Sequence, residues 1–111
     1  MKNLSNRSWE RRRARAAAGA ALLDRLVPSW WRIVRIRELD INDSCNCVTG
    51  QLFGDFDAGL AQLRLDVDDA RHYGFLSATG DQSDLGLRDL TRHWKNEIRS
   101  RRYGDRVGRA S

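Results

Sequence analysis

Long apolar runs are missing from this chain of 111 residues. No stretch approaches the roughly 20 residues needed to span a bilayer. The Ala-rich segment behind the basic start is too short and too polar for a secretory leader. A cytoplasmic location and no membrane partner are therefore expected. Cysteine is scarce: only Cys45 and Cys47, one residue apart. A bridge that tight is strained, so reduced thiols are the expectation. There is one proline, Pro28. Phosphate loop, dinucleotide fingerprint and nucleophile elbow are all missing. The chain is expected not to be an enzyme and to carry no cofactor.

The remaining chemistry candidates are thin. Cys45, Cys47, His72 and His93 add up to four zinc ligands, but cysteines in structural zinc sites are usually two to four residues apart. Cys as a small buried hydrophobe is the commoner case, and no metal is expected. Asp40, Asn42 and Ser44 open like a calcium loop, yet Cys45 stands where glycine is needed and Gln51 where glutamate is needed. A Cys–His pair would need an orienting group to act as a nucleophile, and nothing in the sequence brings one near. Residues 62–65, Gln-Leu-Arg-Leu, faintly resemble sliding-clamp peptides but lack the final aromatic, and Leu63 is better used in the core.

What the chain has is charge, distributed unevenly. Residues 1–15 carry +5, 16–37 carry +3, 38–87 carry −8 and 88–111 carry +5. Basic ends flank an acidic middle. The ends either bind an acidic partner or fold back onto that middle.

Periodicity predicts helices throughout. The first spans about 8–26, stopped by Pro28. Its apolar face, Ala18, Leu22 and Leu26, continues backwards into Arg15 and Arg11, so residues 1–15 are expected to form a basic flexible arm or a projecting helix start. Residues 32–39 alternate weakly, but a lone strand has no partner, and a short helix or connector is preferred. Ser44 is the expected cap of the next helix. Val48, Leu52, Phe56, Leu60 and Leu63 form the best stripe, with a break expected near Gly54. Residues 66–73 predict a short helix ended by Gly74, and 84–102 a final long one. Residues 103–111 predict a disordered tail. The expectation is an all-α single-domain bundle of four to six short helices over 16–102, with a basic N-terminal extension. Its core should hold Leu22, Leu26, Trp31, the five-residue stripe, Phe75, Leu87, Leu90, Trp94 and Ile98.

On the last helix Arg88, Arg92, Lys95, Arg99 and Arg102 recur at four, three, four and three, forming one cationic stripe. Such a stripe can track phosphates; a solvated face partly paired with acids is the plainer alternative. Arg7, Arg11, Arg12, Arg13 and Arg15 are a second basic block, suited to an arm that orders on nucleic acid or to a solubilising terminus. Trp9 and Trp30 are candidate partner anchors, because an exposed Trp beside arginines is a common one. Partial burial under the first helix is the alternative.

One segment has a familiar look. Cys47-Val48-x-Gly50-Gln51-x-Phe53-Gly54 is followed by Gly74-Phe75 and by Leu90-Thr91-x-x-Trp94-x-x-x-Ile98, with Pro28-x-Trp30 and Leu39-Asp40 upstream. Together these resemble a group of small uncharacterised proteins of actinobacteria and their phages, over about residues 20–102. The resemblance implies a phage-encoded accessory protein, working in a bacterial host cytoplasm, that binds a host or phage protein. It carries no activity with it. It also points to a tight crossing at Gly50 and Gly54, with Gln51 bonding a backbone group. Nucleic-acid binding through the two basic segments is the alternative function. The partner and the oligomeric state are not encoded legibly.

Overall fold

Alanine and arginine are strong helix formers, and the Arg/Ala-rich start becomes a helix of 23 residues, α1 (Leu4–Leu26). The computed structural model describes residues 4–78 and 81–110, with side chains for 8–78 and 81–108. Five more helices follow: α2 (Trp30–Ile33), α3 (Val48–Phe53), α4 (Phe56–Leu63), α5 (Val67–His72) and α6 (Asp84–Ala110). The fold is an all-α bundle, without strands among the described residues. No described helix is long and apolar enough to cross a membrane.

The two long helices run side by side and parallel. Arg12 bonds Asp89 and Arg101 bonds Asp24, both at a sequence offset of 77. The offset is unchanged over twelve residues, about 18 Å of helix, so neither helix slides past the other. Close approach follows from small residues. Ala16, Gly19, Ala20 and Leu23 recur at helical spacing and are buried.

That face is rotated from the expected one. Leu26 is 53% exposed, and Leu23 takes its place in the core. Residues 8–15, expected to project, lie along α6, because Arg12 finds Asp89 there and Asp81 just before it. At the other end Ser29 takes a left-handed turn after Pro28. That turn buries Trp30 completely, while Trp31 is only half-buried. The expected core position of Trp31 therefore belongs to its neighbour. Leu52 and Phe56 pack at the margin of the core, Leu87 is half-buried and lines a cleft instead, and Val34, Leu39 and Ile41 join the core from the connector after α2.

Trp94 is the centre of packing. Its indole N–H donates to the Gly74 carbonyl at 2.7 Å. Trp30 meets it edge-on at 5.8 Å and Phe75 stacks on it at 5.4 Å. Gly19 lies against its ring, where a Cβ would come within 2.7 Å and would also run into the Tyr73 carbonyl. Gly74 has φ of 71°, a region that favours glycine.

Carboxylates and one sulfur start the short helices. Asp43 accepts from the amides of Cys45 and Asn46, and so keeps Ser44 out of a capping role. Cys47 caps α3 instead, its sulfur accepting from Gly50 N–H at 3.3 Å. Asp55 caps α4, and Asp66 forms a capping box with Asp69 on α5. Gly54 ends α3 with φ of 106° and open space around it. Gly50 meets the Ser44–Cys45 backbone, not another helix. The crossing expected at this pair is thus a loop contact and a helix stop. Gln51 clamps a backbone: its Oε1 accepts from Arg35 N–H at 2.6 Å, and its Nε2 donates to the carbonyls of Arg35 and Asn46.

Helix α6 begins under Ser83, whose hydroxyl accepts from Gly86 N–H. It continues through 103–108, for which the composition predicts a tail, and Arg32 holds Asp105 there at 2.8 Å.

Gly19→Ala should lower stability by roughly 3 kcal/mol, the upper range for overpacking a tight core. Thermal and denaturant unfolding measure this; a change under about 0.5 kcal/mol would mean that the two helices can part without loss.

Candidate nucleic-acid interface

At about 100° per residue, Arg88, Arg92, Lys95, Arg99, Arg102 and Arg106 fall within a sector of roughly 80° on α6. The sector lies away from the buried Leu90, Trp94 and Ile98. The connector after α2 stands beside it. Ile41 N–H donates to the Thr91 hydroxyl at 3.1 Å, which pins that segment to α6. Between them opens a cleft of about 730 Å³, lined by Arg88, Arg92, Lys95 and Arg99 on one wall and by Arg37 and Asn42 on the other.

The cations differ in how far they are committed. Arg88 pairs with Asp84 at 3.3 Å, both highly exposed, and Arg92 with Asp89 at 2.6 Å. Exposed pairs of the first kind contribute little and exchange readily. Arg37, Lys95 and Arg99 have no carboxylate partner among the described residues. Arg102 turns inward, donating to the carbonyls of Trp31 and Val34 at 3.1 and 2.6 Å. It ties α6 to the end of α2 and offers the surface only part of its charge. Glu38, Asp40 and Asp84 also face the cleft. Glu38 is held by Arg35, and Asp40 accepts from the Asn42 amide. The lining thus holds five cations, Arg37, Arg88, Arg92, Lys95 and Arg99, against three carboxylates.

The N-terminal arginines are dispersed. The side chain of Arg7 lies outside the described residues. Arg11 and Arg13 are exposed, with the Arg13 guanidinium over the Trp9 ring at 5.6 Å, and Arg15 is half-buried. Arg12 is only 11% exposed and joins Asp89 at 2.7 Å and Asp81 at 3.1 Å. It belongs to the fold more than to a surface. Trp9 lies edge-on to His93 at 5.0 Å and keeps 36% exposure. Trp30 cannot anchor a partner: it is fully buried, with its N–H on Asp24 at 2.9 Å.

Sequence reasoning missed two groups. Arg37 forms the far wall of the cleft, and only its basic, alternating neighbourhood hinted at it. The cluster of Arg12, Asp89 and His93 joins residues far apart in the chain, and no local signal reveals it. His93 is buried and its Nε2 lies 3.2 Å from Asp89. Burial pushes the imidazole below its ordinary 6.5, with the Asp89 charge opposing and the Arg92 and Arg12 charges assisting. Burial also opposes the Asp89 charge, but hydrogen bonds from Arg92 and Arg12, and the charges of His93 and Arg12, outweigh it and hold this carboxyl below its ordinary 3.8. An ionised carboxylate only accepts, so neutral His93 donates through Nε2.

The residues considered for zinc are not gathered. Cys45 is exposed, Cys47 is buried as a cap, His72 is exposed at the end of α5, and His93 is committed to Asp89. Among the described residues no three His, Cys, Asp or Glu side chains are placed to hold a metal. The acidic middle receives the basic ends at its C-terminal edge among the described residues, where Arg12 pairs with Asp81 and Arg88 with Asp84. Its other ion pairs are local, Arg35 with Glu38 and Arg71 with Asp68, while the long-range pairs join α1 to Asp81 and α6, and α2 to α6. Comparison with known proteins finds no matching family model, no matching curated protein and no matching solved structure.

Arg12→Ala should cost about 3 kcal/mol, the low end for breaking a buried pair, because Asp89 retains Arg92 and His93. Equilibrium unfolding checks it, and a loss below about 1 kcal/mol would make the pair a surface contact. Acid should act in two stages. His93, Asp89, Asp24 and Asp43 all have depressed values in the fold, so the stability they contribute is present above their unfolded values and lost as pH falls. A first decline should begin below about pH 6.5, from His93, and a steeper one below about pH 4, from Asp89, Asp24 and Asp43. His93→Gln should remove the first stage alone; unfolding midpoints against pH would show it.

Proposed function

We propose that this protein is a non-enzymatic binding protein that engages nucleic acid through the cationic face of α6. One observation carries the reading. Six cations of α6 share one sector, and the cleft beside four of them receives a further cation, Arg37, from a separate segment. The far wall also carries Glu38 and Asp40, and Asp84 stands at the start of the α6 wall, so the lining holds five cations against three carboxylates. That positive surplus favours a polyanion. Of the ten carboxylates of the middle, Asp55, Asp66 and Asp69 serve their own helix starts and Asp40 and Asp43 close turns before α3, so half are held by backbone amides.

The second reading is a phage-type accessory protein docked on a host or phage protein. The exposed Leu26, Ile33, Tyr103 and Val107 favour it, since they supply apolar contact area near the ends of α1, α2 and α6. It agrees with the group that the Cys47–Gly54 segment resembles. The two readings differ in what the basic face should do.

Titrating the full chain into labelled DNA and RNA over a salt series separates them. Nucleic-acid binding should weaken with a log–log slope of about −3.5 if roughly five phosphates of a single strand are neutralised. The double variant Arg37→Glu, Lys95→Glu should bind less tightly and with a shallower slope, while unfolding at the same temperature. An absence of binding at the lowest salt would sink the nucleic-acid reading and leave the protein partner.

A further inference from the structure

The cleft ends at Arg99. One helical turn on, Arg102 and Arg106 line a second depression of about 410 Å³, whose other wall is Trp31 and Arg32 of α2. The Arg32 guanidinium lies over the Trp31 ring at 5.0 Å. The two depressions lie on the same flank of α6. Taken end to end they make a two-part trough from Arg88 to Arg106, eighteen residues or about 27 Å long, with Arg102 reaching across to the Trp31 and Val34 carbonyls between Arg99 and Arg106. Cations line both parts, with Glu38, Asp40, Asp84 and Asp105 among them, and an aromatic–guanidinium stack sits near one end.

We infer that the ligand of this trough is a single-stranded nucleic acid, laid along α6 with a base resting on the Trp31–Arg32 stack. This rests on the nucleic-acid reading above and narrows it. Three features support a single strand over a duplex. First, a helix with its side chains is about 10–12 Å across, and the major groove of B-DNA is about 12 Å wide. Helix α6 has α1 along one side and the connector, fixed by the Ile41–Thr91 bond, along another. No room remains in a groove for that company. Second, the cations form a straight row, one every three or four residues or about 5 Å along the axis. Phosphates of a duplex strand wind around its axis as they advance about 3.4 Å along it, whereas an extended single strand can lie along a straight row. Third, a stacked Trp and Arg serve unpaired bases, whose faces are open, and not bases closed in a duplex. Asp105, bonded to Arg32, holds that arginine in place at the trough's end.

The test uses the intact chain at low salt and four probes of equal length: oligothymidylate, its abasic counterpart, a duplex, and poly-glutamate. Fluorescence anisotropy should show oligothymidylate binding about tenfold tighter than the duplex. Affinity should rise with length until roughly five or six nucleotides fill the trough. The abasic strand has the same charge without stacking faces, and should bind about tenfold more weakly with an unchanged salt slope. It tests the stack without altering the protein. As a complement, Trp31→Ala should lose the preference for bases over the abasic strand. Equal affinity for duplex and single strand, or for abasic and base-bearing strands, would overturn the inference and leave nucleic-acid binding itself intact. Poly-glutamate binding as tightly as oligothymidylate would overturn both and point to an acidic protein. Silence from all four probes would also overturn both.

Discussion

The notch that Gly19 opens for Trp94 governs the rest of the fold. Without a side chain at 19, α1 can approach α6 until the indole touches backbone, and the Tyr73 carbonyl fills the same gap. The indole N–H then reaches the Gly74 carbonyl and ties the chain after α5 to this seam. Gly74 in turn needs its positive φ and its missing Cβ to lie against the backbone of Arg15 and Ala16. One ring thus joins α1, α2, α6 and the turn after α5. Fixing this seam also fixes how α6 is rotated, and so which of its faces is left to water.

Rotation is where charge takes over from packing. Two ion pairs at the same offset, Arg12 with Asp89 and Arg101 with Asp24, stand on the seam on either side of Gly19. They are half-sheltered, and each guanidinium has more than one acceptor. Arg12 takes Asp81 and Asp89, and Arg101 takes Asp24 and Glu97. Such geometry resists sliding better than apolar contact, which tolerates a shift of one turn. Parallel helices have no short connection to impose register, so side chains must do it.

These layers were unequally legible in the sequence. The helices, the break at Gly54 and the stop at Gly74 could be read, because breakers and caps act within a few residues. The stripe from Val48 to Leu63 could be read for the same reason, though Leu52 and Phe56 lie only at the core's margin. On α1 the leucines at 22, 23 and 26 left two possible faces, and the choice depended on which was opposite Trp94. The Trp30–Trp31 order was illegible because it turns on the left-handed Ser29. The cationic stripe of α6 was visible as a period. Arg102's turn inward and Arg37's arrival on the far wall were not, since both depend on where the connector lands.

The basic ends and the acidic middle now have a physical division. An acid at a helix start is stabilised by the unpaired amides there, and Asp55, Asp66 and Asp69 occupy such positions. Their charge stabilises helices that would otherwise be too brief to persist alone, so it acts locally and does not need the arginines. The arginines divide again, into those that face the seam and those a quarter-turn or more away from it. Arg12 and Arg101 hold register; Arg88, Lys95, Arg99 and Arg106 hold nothing of comparable depth. A helix that needed only solubility would mix signs on its outer face. On α6 Asp89 faces α1 and Glu97 pairs with Arg101, while the outer sector holds six cations and, among the described residues, one carboxylate, Asp84, which is an arrangement that a polyanion would select.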